Sequence, residues 1–208
     1  MMTTTRPLLT DPANLITYVG LVLGSIGIYA ALNLEFEASI LFLLAAFTAD
    51  RIDGPVARQT AGRSKIAAAL GGILDSVADV ICHSVAPALI LLCYCGLALY
   101  LLPVAVFFIL AGTIRMARNT VEGGYSPTTF RGLNSDNNIV ILAMVFLIEP
   151  LLRGAAFANL LALVLVVTGL FNLSTIPVPK VVGRGNYAMT AWTLAIGVWY
   201  GTRLGIGR

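Results

Sequence analysis

Charge is what this chain has least of. Of its 208 residues, 13 are Lys or Arg and 10 are Asp or Glu, together 11%. A soluble domain carries about a quarter of its residues as charged side chains, so an ordinary soluble enzyme and a disordered chain are both excluded. Cysteine is scarce as well. Cys82, Cys93 and Cys95 stand in or beside apolar runs without CxxC spacing, which argues for small core residues and against a disulfide framework or a thiolate metal site. The net charge is only +3, and the basic residues gather at the ends of apolar segments. They form no nucleic-acid-binding stripe. There is no internal repeat and no sign of a second domain, so residues 1–208 read as one unit.

What fills the chain is apolar: 58% of it is hydrophobic and the mean hydropathy is +0.90. At about 20 residues per transmembrane helix the length allows roughly six to eight spans. Apolar segments fall at 15–33, 37–57, 67–94, 98–117, 136–152, 155–173 and 186–204. The expected fold is all-α, a polytopic transmembrane bundle of six core helices with a seventh formed by the last segment. Asn186, Thr190 and Thr193 make that last segment the most polar. Residues 1–14 form a short cytoplasmic or interfacial segment, in which Thr10-Asp11-Pro12-Ala13-Asn14 has the polar cap and early proline of a helix start. With alternating spans, Arg153, Arg203 and Arg208 fall on one side and the other ten basic residues fall on the opposite one. The positive-inside rule makes the richer side, and the N-terminus, cytoplasmic.

Four of the ten acids fall in or at the ends of these apolar helices: Asp50, Asp53, Asp75 and Asp79. A charge at the bilayer centre costs about 2.5 kcal/mol or more. Acids there need compensation and mark function. At 100° per residue, Asp50, Asp53, Gly54, Ala57 and Arg58 share one stripe of the second span, while Gly71, Asp75 and Asp79 share a face of the third. Two helices thus direct two carboxylates each at a common cleft, with small residues leaving space beside them. Hard divalent cations, Mg²⁺ or Mn²⁺, are the natural neutralisers, since they take oxygen ligands and share them with phosphates. Two such ions suit displacement at phosphorus.

The run DRIDGPVAR, a spacer, and GGILDSVAD closely resembles the signature of the CDP-alcohol phosphotransferase family, D-x-x-D-G-x-x-A-R followed by G-x-x-x-D-x-x-x-D. All eight fixed residues are present: Asp50, Asp53, Gly54, Ala57, Arg58, Gly71, Asp75 and Asp79. PANLITYVGLVLG resembles the start of the family's first span. LDSVADVICHSVAPALILL and TIRMARN are most similar to the members that use serine, the phosphatidylserine synthases. The chain departs from those members in three places. The spacer between Arg58 and Gly71 is about one helical turn longer; Pro55, which should loosen or kink the second span, follows Gly54; and Leu133-Asn134-Ser135 stands where a proline-containing loop is usual. The first two are more like bacterial phosphatidylcholine synthases.

The resemblance implies an enzyme of phospholipid biosynthesis. It would transfer a phosphatidyl group from CDP-diacylglycerol, or a CDP-activated ether lipid, to the hydroxyl of a small alcohol, releasing CMP. Serine is the expected acceptor, with choline, inositol phosphate and glycerol phosphate behind it. The implied roles are metal binding for Asp50, Asp53, Asp75 and Asp79, with Asp79 also the general base. CDP-lipid binding falls to Gly54, Ala57, Arg58 and Gly71. Acceptor or phosphate binding falls to Arg115, Arg118 and Arg131, with Asn119 beside them. An Arg fork suits a serine carboxylate, whereas choline would call for aromatic faces. His83, one turn beyond Asp79, is a candidate support for it, and the loop 119–135 with Gly123-Gly124 is a candidate lid. Lys180 and Arg184 fit headgroup contact, and Trp192, Trp199 and Tyr200 fit an interfacial belt. The family resemblance further implies a homodimer and a prokaryotic plasma membrane. A cation transporter with an intramembrane acid site and an inactive family member acting as a scaffold are the competing readings.

Overall fold

A computed structural model of the chain describes residues 9–122, 129–179 and 184–206. Seven helices follow one another in these residues: α1 (Pro12–Leu32), α2 (Phe36–Gln59), α3 (Lys65–Tyr94), α4 (Leu102–Glu122), α5 (Asn137–Phe146), α6 (Ala155–Leu173) and α7 (Arg184–Ile206). The bundle is all-α apart from two three-residue strands, β1 (Thr129–Arg131) and β2 (Pro177–Pro179), which pair antiparallel with Phe130 opposite Val178.

Among the described residues, four helices are long and apolar enough to cross a membrane: α1, α3, α6, and α4 with the 3₁₀ turn Leu99–Leu101 before it. Helix α2 has 24 residues and α7 has 23, long enough to span. They are more polar, and α2 carries Asp50, Arg51, Asp53 and Arg58. The expected span at 136–152 is a shorter element: α5 has ten residues and breaks into turns after Phe146. Pro150 fits the break, because it has no N–H to offer the Phe146 carbonyl four residues back, which accepts from the Glu149 amide at 3.2 Å instead. By contrast Pro55 does not interrupt α2, which runs one further turn to Gln59.

Helix α1 starts where the polar cap predicted. Asp11 is its N-cap and accepts from the Asn14 amide at 3.1 Å, with Pro12 in the first turn. The cap therefore opens the first span itself, where Thr10 to Asn14 were expected to belong to a separate interfacial segment; residues 1–8 lie outside the described residues. Gly20, Gly24 and Gly27 line the face of α1 that meets α2 and α3. A Cβ on Gly24 would strike Cys82 Sγ, and one on Gly27 would sit 3.1 Å from the Ser39 carbonyl. Small residues at this spacing let helix backbones approach closely, as they do in membranes generally.

The core is a layer of Ile40, Leu43, Phe47, Ile90, Phe108, Ile139 and Leu161 between α2, α3, α4, α5 and α6. At the end of the bundle remote from the acids, Phe36, Tyr94, Phe146 and Phe157 pack with ring centroids 5.0–6.0 Å apart. Tyr200 belongs to the core and not to an interfacial belt: it is 1% exposed and donates to the Ala143 carbonyl at 2.6 Å. Trp192 remains exposed. The three cysteines are free, with Cys82 and Cys93 buried.

Candidate active site

Acids from the two helices come together. Asp50 from α2 and Asp75 and Asp79 from α3 each offer a carboxylate oxygen within 4.8 Å of the others. At that separation two full charges repel by on the order of 3 kcal/mol at an effective dielectric of 20. A proton or cation among them is therefore strongly favoured. Asp53 is turned slightly aside, accepting from Thr17 Oγ1 of α1 at 2.7 Å. It still lines the same crevice, together with Thr17, Asp50, Asp75, Asp79 and His83.

Thr17, Asp53 and Asp75 also border a more open cleft of about 170 Å³, walled by Asn14, Gly54, Ala57, Arg63, Gly71 and Gly72. Three of the four residues implied for CDP-lipid binding are therefore here. The fourth, Arg58, is exposed and lies outside this lining; its guanidinium passes 3.5 Å from where a Cβ on Gly54 would be. The arginine inside the cleft is Arg63, which follows the end of α2. It pairs with Asp11 at 3.1 Å and donates to Asn14 Oδ1 at 2.8 Å, while Asn14 donates to the Ala67 carbonyl at 3.3 Å. Gly71 makes room for this network, since a Cβ there would collide with Asn14 Oδ1 and Arg63 Nη2.

Past Asp79, α3 widens into one π turn, Ile81–Val85, a device common at functional sites. Pro87 has no N–H to give the His83 carbonyl four residues back, and Asn138 Nδ2 of α5 supplies the missing donor at 3.1 Å. His83 Nδ1 lies 3.3 Å from Asp79 Oδ1, which bears out its expected place beside that acid. Asp136, just before α5, reaches the same spot: Asp79, His83 and Asp136 each offer an atom within 4.8 Å of the other two.

The arginines implied for the acceptor have protein partners. Arg115 is 2% exposed, donates to the Leu133 carbonyl at 3.1 Å and to Asn134 Oδ1 at 3.3 Å, and stands over the Phe130 ring. Arg118 donates to the Ser174 carbonyl at 3.0 Å, at the end of α6. Arg131 is half-buried in β1, and Asn119 is half-buried on α4. In these positions Arg115 and Arg118 brace the segment 129–136 and the end of α6. The same segment is pinned by Gly132, at φ +73°, whose amide donates to the Ile176 carbonyl at 2.8 Å. The part of the expected lid from Thr129 onward is thus tied down by the β1–β2 pair. Gly123 and Gly124 lie outside the described residues, as does Lys180.

The sequence profile of the CDP-alcohol phosphatidyltransferase family matches residues 11–199, nearly the whole chain. The chain belongs to this family. It is 31% identical over 197 residues to the CDP-diacylglycerol–serine O-phosphatidyltransferase of Helicobacter pylori strain ATCC 700392 / 26695, covering 92% of this chain and 78% of that one. The corresponding protein of H. pylori strain J99 is 30% identical over the same coverage. The archaetidylserine synthase of Methanothermobacter thermautotrophicus is 29% identical over 164 residues, covering 78% of this chain and 66% of its own length. As a family member with four apolar spanning helices, this is an integral membrane transferase of phospholipid biosynthesis.

Of the residues around the site, the sequence reading missed Asp11, Asn14, Thr17 and Arg63 as a group, and Asp136 altogether. Asn14 and Thr17 had a signal: both are polar, three residues apart, on one stripe of an otherwise apolar span.

Proposed function

We propose that the protein transfers a phosphatidyl group from CDP-diacylglycerol, or its ether-lipid counterpart, to the hydroxyl of L-serine, releasing CMP. The convergence of Asp50, Asp75 and Asp79 beside a cleft floored by Gly54, Ala57 and Gly71 carries this reading. Two serine-specific curated relatives and an archaetidylserine synthase support the choice of acceptor. Family membership favours the transferase over the transporter reading.

The donor set is all carboxylate oxygen, which fits Mg²⁺ or Mn²⁺. Asp50, Asp53, Asp75 and Asp79 would hold two such ions, which when bound would neutralise the pyrophosphate and the charge that develops on departing CMP. The chain's own groups do the rest. Gly54, Ala57 and Gly71 let the nucleotide lie close to the α2 and α3 backbones. Arg63, held by Asp11, presents positive charge at the rim of that cleft, and Asn14 fixes its angle. Asp79, 6% exposed and flanked by His83, takes the proton of the acceptor hydroxyl as its oxygen bonds to the phosphatidyl phosphorus. The bond from that phosphorus to the CMP oxygen breaks, and its electron pair leaves with CMP. Arg115 and Arg118 act chiefly through the segment they brace, and Arg131 and Asn119 remain candidate direct contacts for the acceptor carboxylate. The excess of Lys and Arg on one side supports chemistry at the cytoplasmic face, and the family resemblance supports a prokaryotic plasma membrane. The family resemblance supports a homodimer.

The test is CMP release by purified protein given CDP-diacylglycerol and Mn²⁺ with serine, choline, inositol phosphate or glycerol phosphate in parallel. Release with serine well above the other three is expected. Equal slow release with all four would overturn the serine assignment.

A further inference from the structure

Beyond Asp79, His83 at the crevice and the segment around Asp136 carry polar groups that the transfer step leaves unused. His83 is 1% exposed, and neither of its ring nitrogens makes a hydrogen bond; the approach of Nδ1 to Asp79 lacks the geometry of one. Ser135 Oγ and Asn138 Oδ1, on either side of Asp136, are buried without partners as well. Buried polar atoms left unpaired cost about 1–3 kcal/mol each, so His83, beside Asp79 and Asp136, calls for a polar partner. The carboxylate of Asp136 is not free to swing away from His83. Asn134 Nδ2 donates to Asp136 Oδ2, and Arg115 Nη2 holds Asn134 in turn.

We propose that Asp136, with His83, is the specificity-determining element for the acceptor, receiving a primary ammonium group next to the hydroxyl handed to Asp79. The inference rests on the transferase reading and refines it. An ammonium and a hydroxyl on adjacent carbons are close enough to be met by two carboxylates this near each other. A fixed negative charge here opposes an acceptor bearing phosphate. A quaternary ammonium has no N–H to give a carboxylate and calls for an aromatic cage, whereas among the described residues one aromatic ring, Phe47, packs against His83, at 6.0 Å.

The experiment uses the full chain in detergent micelles with CDP-diacylglycerol and Mn²⁺. Serine is compared with 3-hydroxypropionate, which keeps the hydroxyl and carboxylate and lacks the ammonium. Wild-type protein should prefer serine in kcat/KM by about 10- to 100-fold, the value of a charged hydrogen bond. Asp136→Asn should raise KM for serine by a similar factor and erode the preference, with KM for CDP-diacylglycerol and the half-saturating Mn²⁺ concentration unchanged. Equal use of the two acceptors by wild type overturns the proposal without any variant having to fold. So does an unchanged serine KM in Asp136→Asn, or a raised Mn²⁺ requirement alone, which would make Asp136 a metal ligand. CMP release with glycerol phosphate but not serine sinks this inference together with the serine assignment and leaves phosphatidyl transfer standing. No release with any acceptor sinks both.

Discussion

Replacing Gly71 by alanine adds one methyl group to the wall of the open cleft. The added Cβ would lie 2.6 Å from Arg63 Nη2 and closer still to Asn14 Oδ1, so the pair has to move. What moves with it is the 2.8 Å bond from Arg63 to Asn14, and beyond that the 3.1 Å ion pair with Asp11 that caps α1. Hydrogen bonds involving a charged group contribute about 1.5–3 kcal/mol each, so losing one, with strain on the next, costs about 2–4 kcal/mol. Alanine in place of glycine returns about 1 kcal/mol of helix propensity. The net loss of about 1–3 kcal/mol corresponds to a roughly 5- to 150-fold weakening if it falls on CDP-lipid binding. The assay is KM for CDP-diacylglycerol and for serine, measured beside the thermal midpoint of the purified protein. KM for the lipid should rise while KM for serine holds. Gly72→Ala is the stability control, because its Cβ would meet nothing within 4 Å; its midpoint should stay level or rise. A Gly71→Ala protein with wild-type lipid KM and wild-type midpoint would refute the claim that Asn14 and Arg63 are set by this glycine.

Asp79→Asn keeps the shape of the site but cannot take a proton, and kcat should fall by at least about a hundredfold with Mn²⁺ present; turnover near wild type would remove Asp79 as the base. Chelation with EDTA should abolish CMP release, and Mg²⁺ or Mn²⁺ should restore it, whereas Ca²⁺, with its longer oxygen bonds, should restore it poorly. Gly132→Ala places a Cβ 2.7 Å from the carbonyls of Phe171 and Ser174 at a φ of +73°. It should cost more than about 2 kcal/mol, read as a lowered thermal midpoint together with reduced turnover.

The acids were legible because the chemistry fixes their spacing along single helices. Asp50 and Asp53, or Asp75 and Asp79, sit on one face whatever packs against them. Which acids from the two helices would come closest was not legible, since the approach of α2 to α3 depends on the glycine face of α1. Arg63 read only as a topology marker because its partners, Asp11 and Asn14, lie some 50 positions earlier in the chain. Asp136 belongs to a segment with no periodicity to project; its position comes from Arg115, Asn134 and the docking of Gly132. The shortness of α5 was written in Pro150, though the apolar run around it masked the signal. The site's two rims thus differ in kind: one follows from helical repeat, the other from tertiary bracing.

The order of the helices gives assembly a sequence of its own. Every residue around the open cleft, from Ala13 to Asp75, belongs to the first three helices or to the turn between the second and third. Asp136 and Asn138 emerge from synthesis only after α4 has been made, and β2, which clamps the segment carrying them, only after α6. A nascent chain therefore has the wall of the open cleft in the membrane well before the pole beyond Asp79 can close. Until α5 arrives, the His83 carbonyl freed by Pro87 has no Asn138 to receive. Chains stalled or cut after α4 keep the complete acid motif and lack the half of the site that is built from bracing.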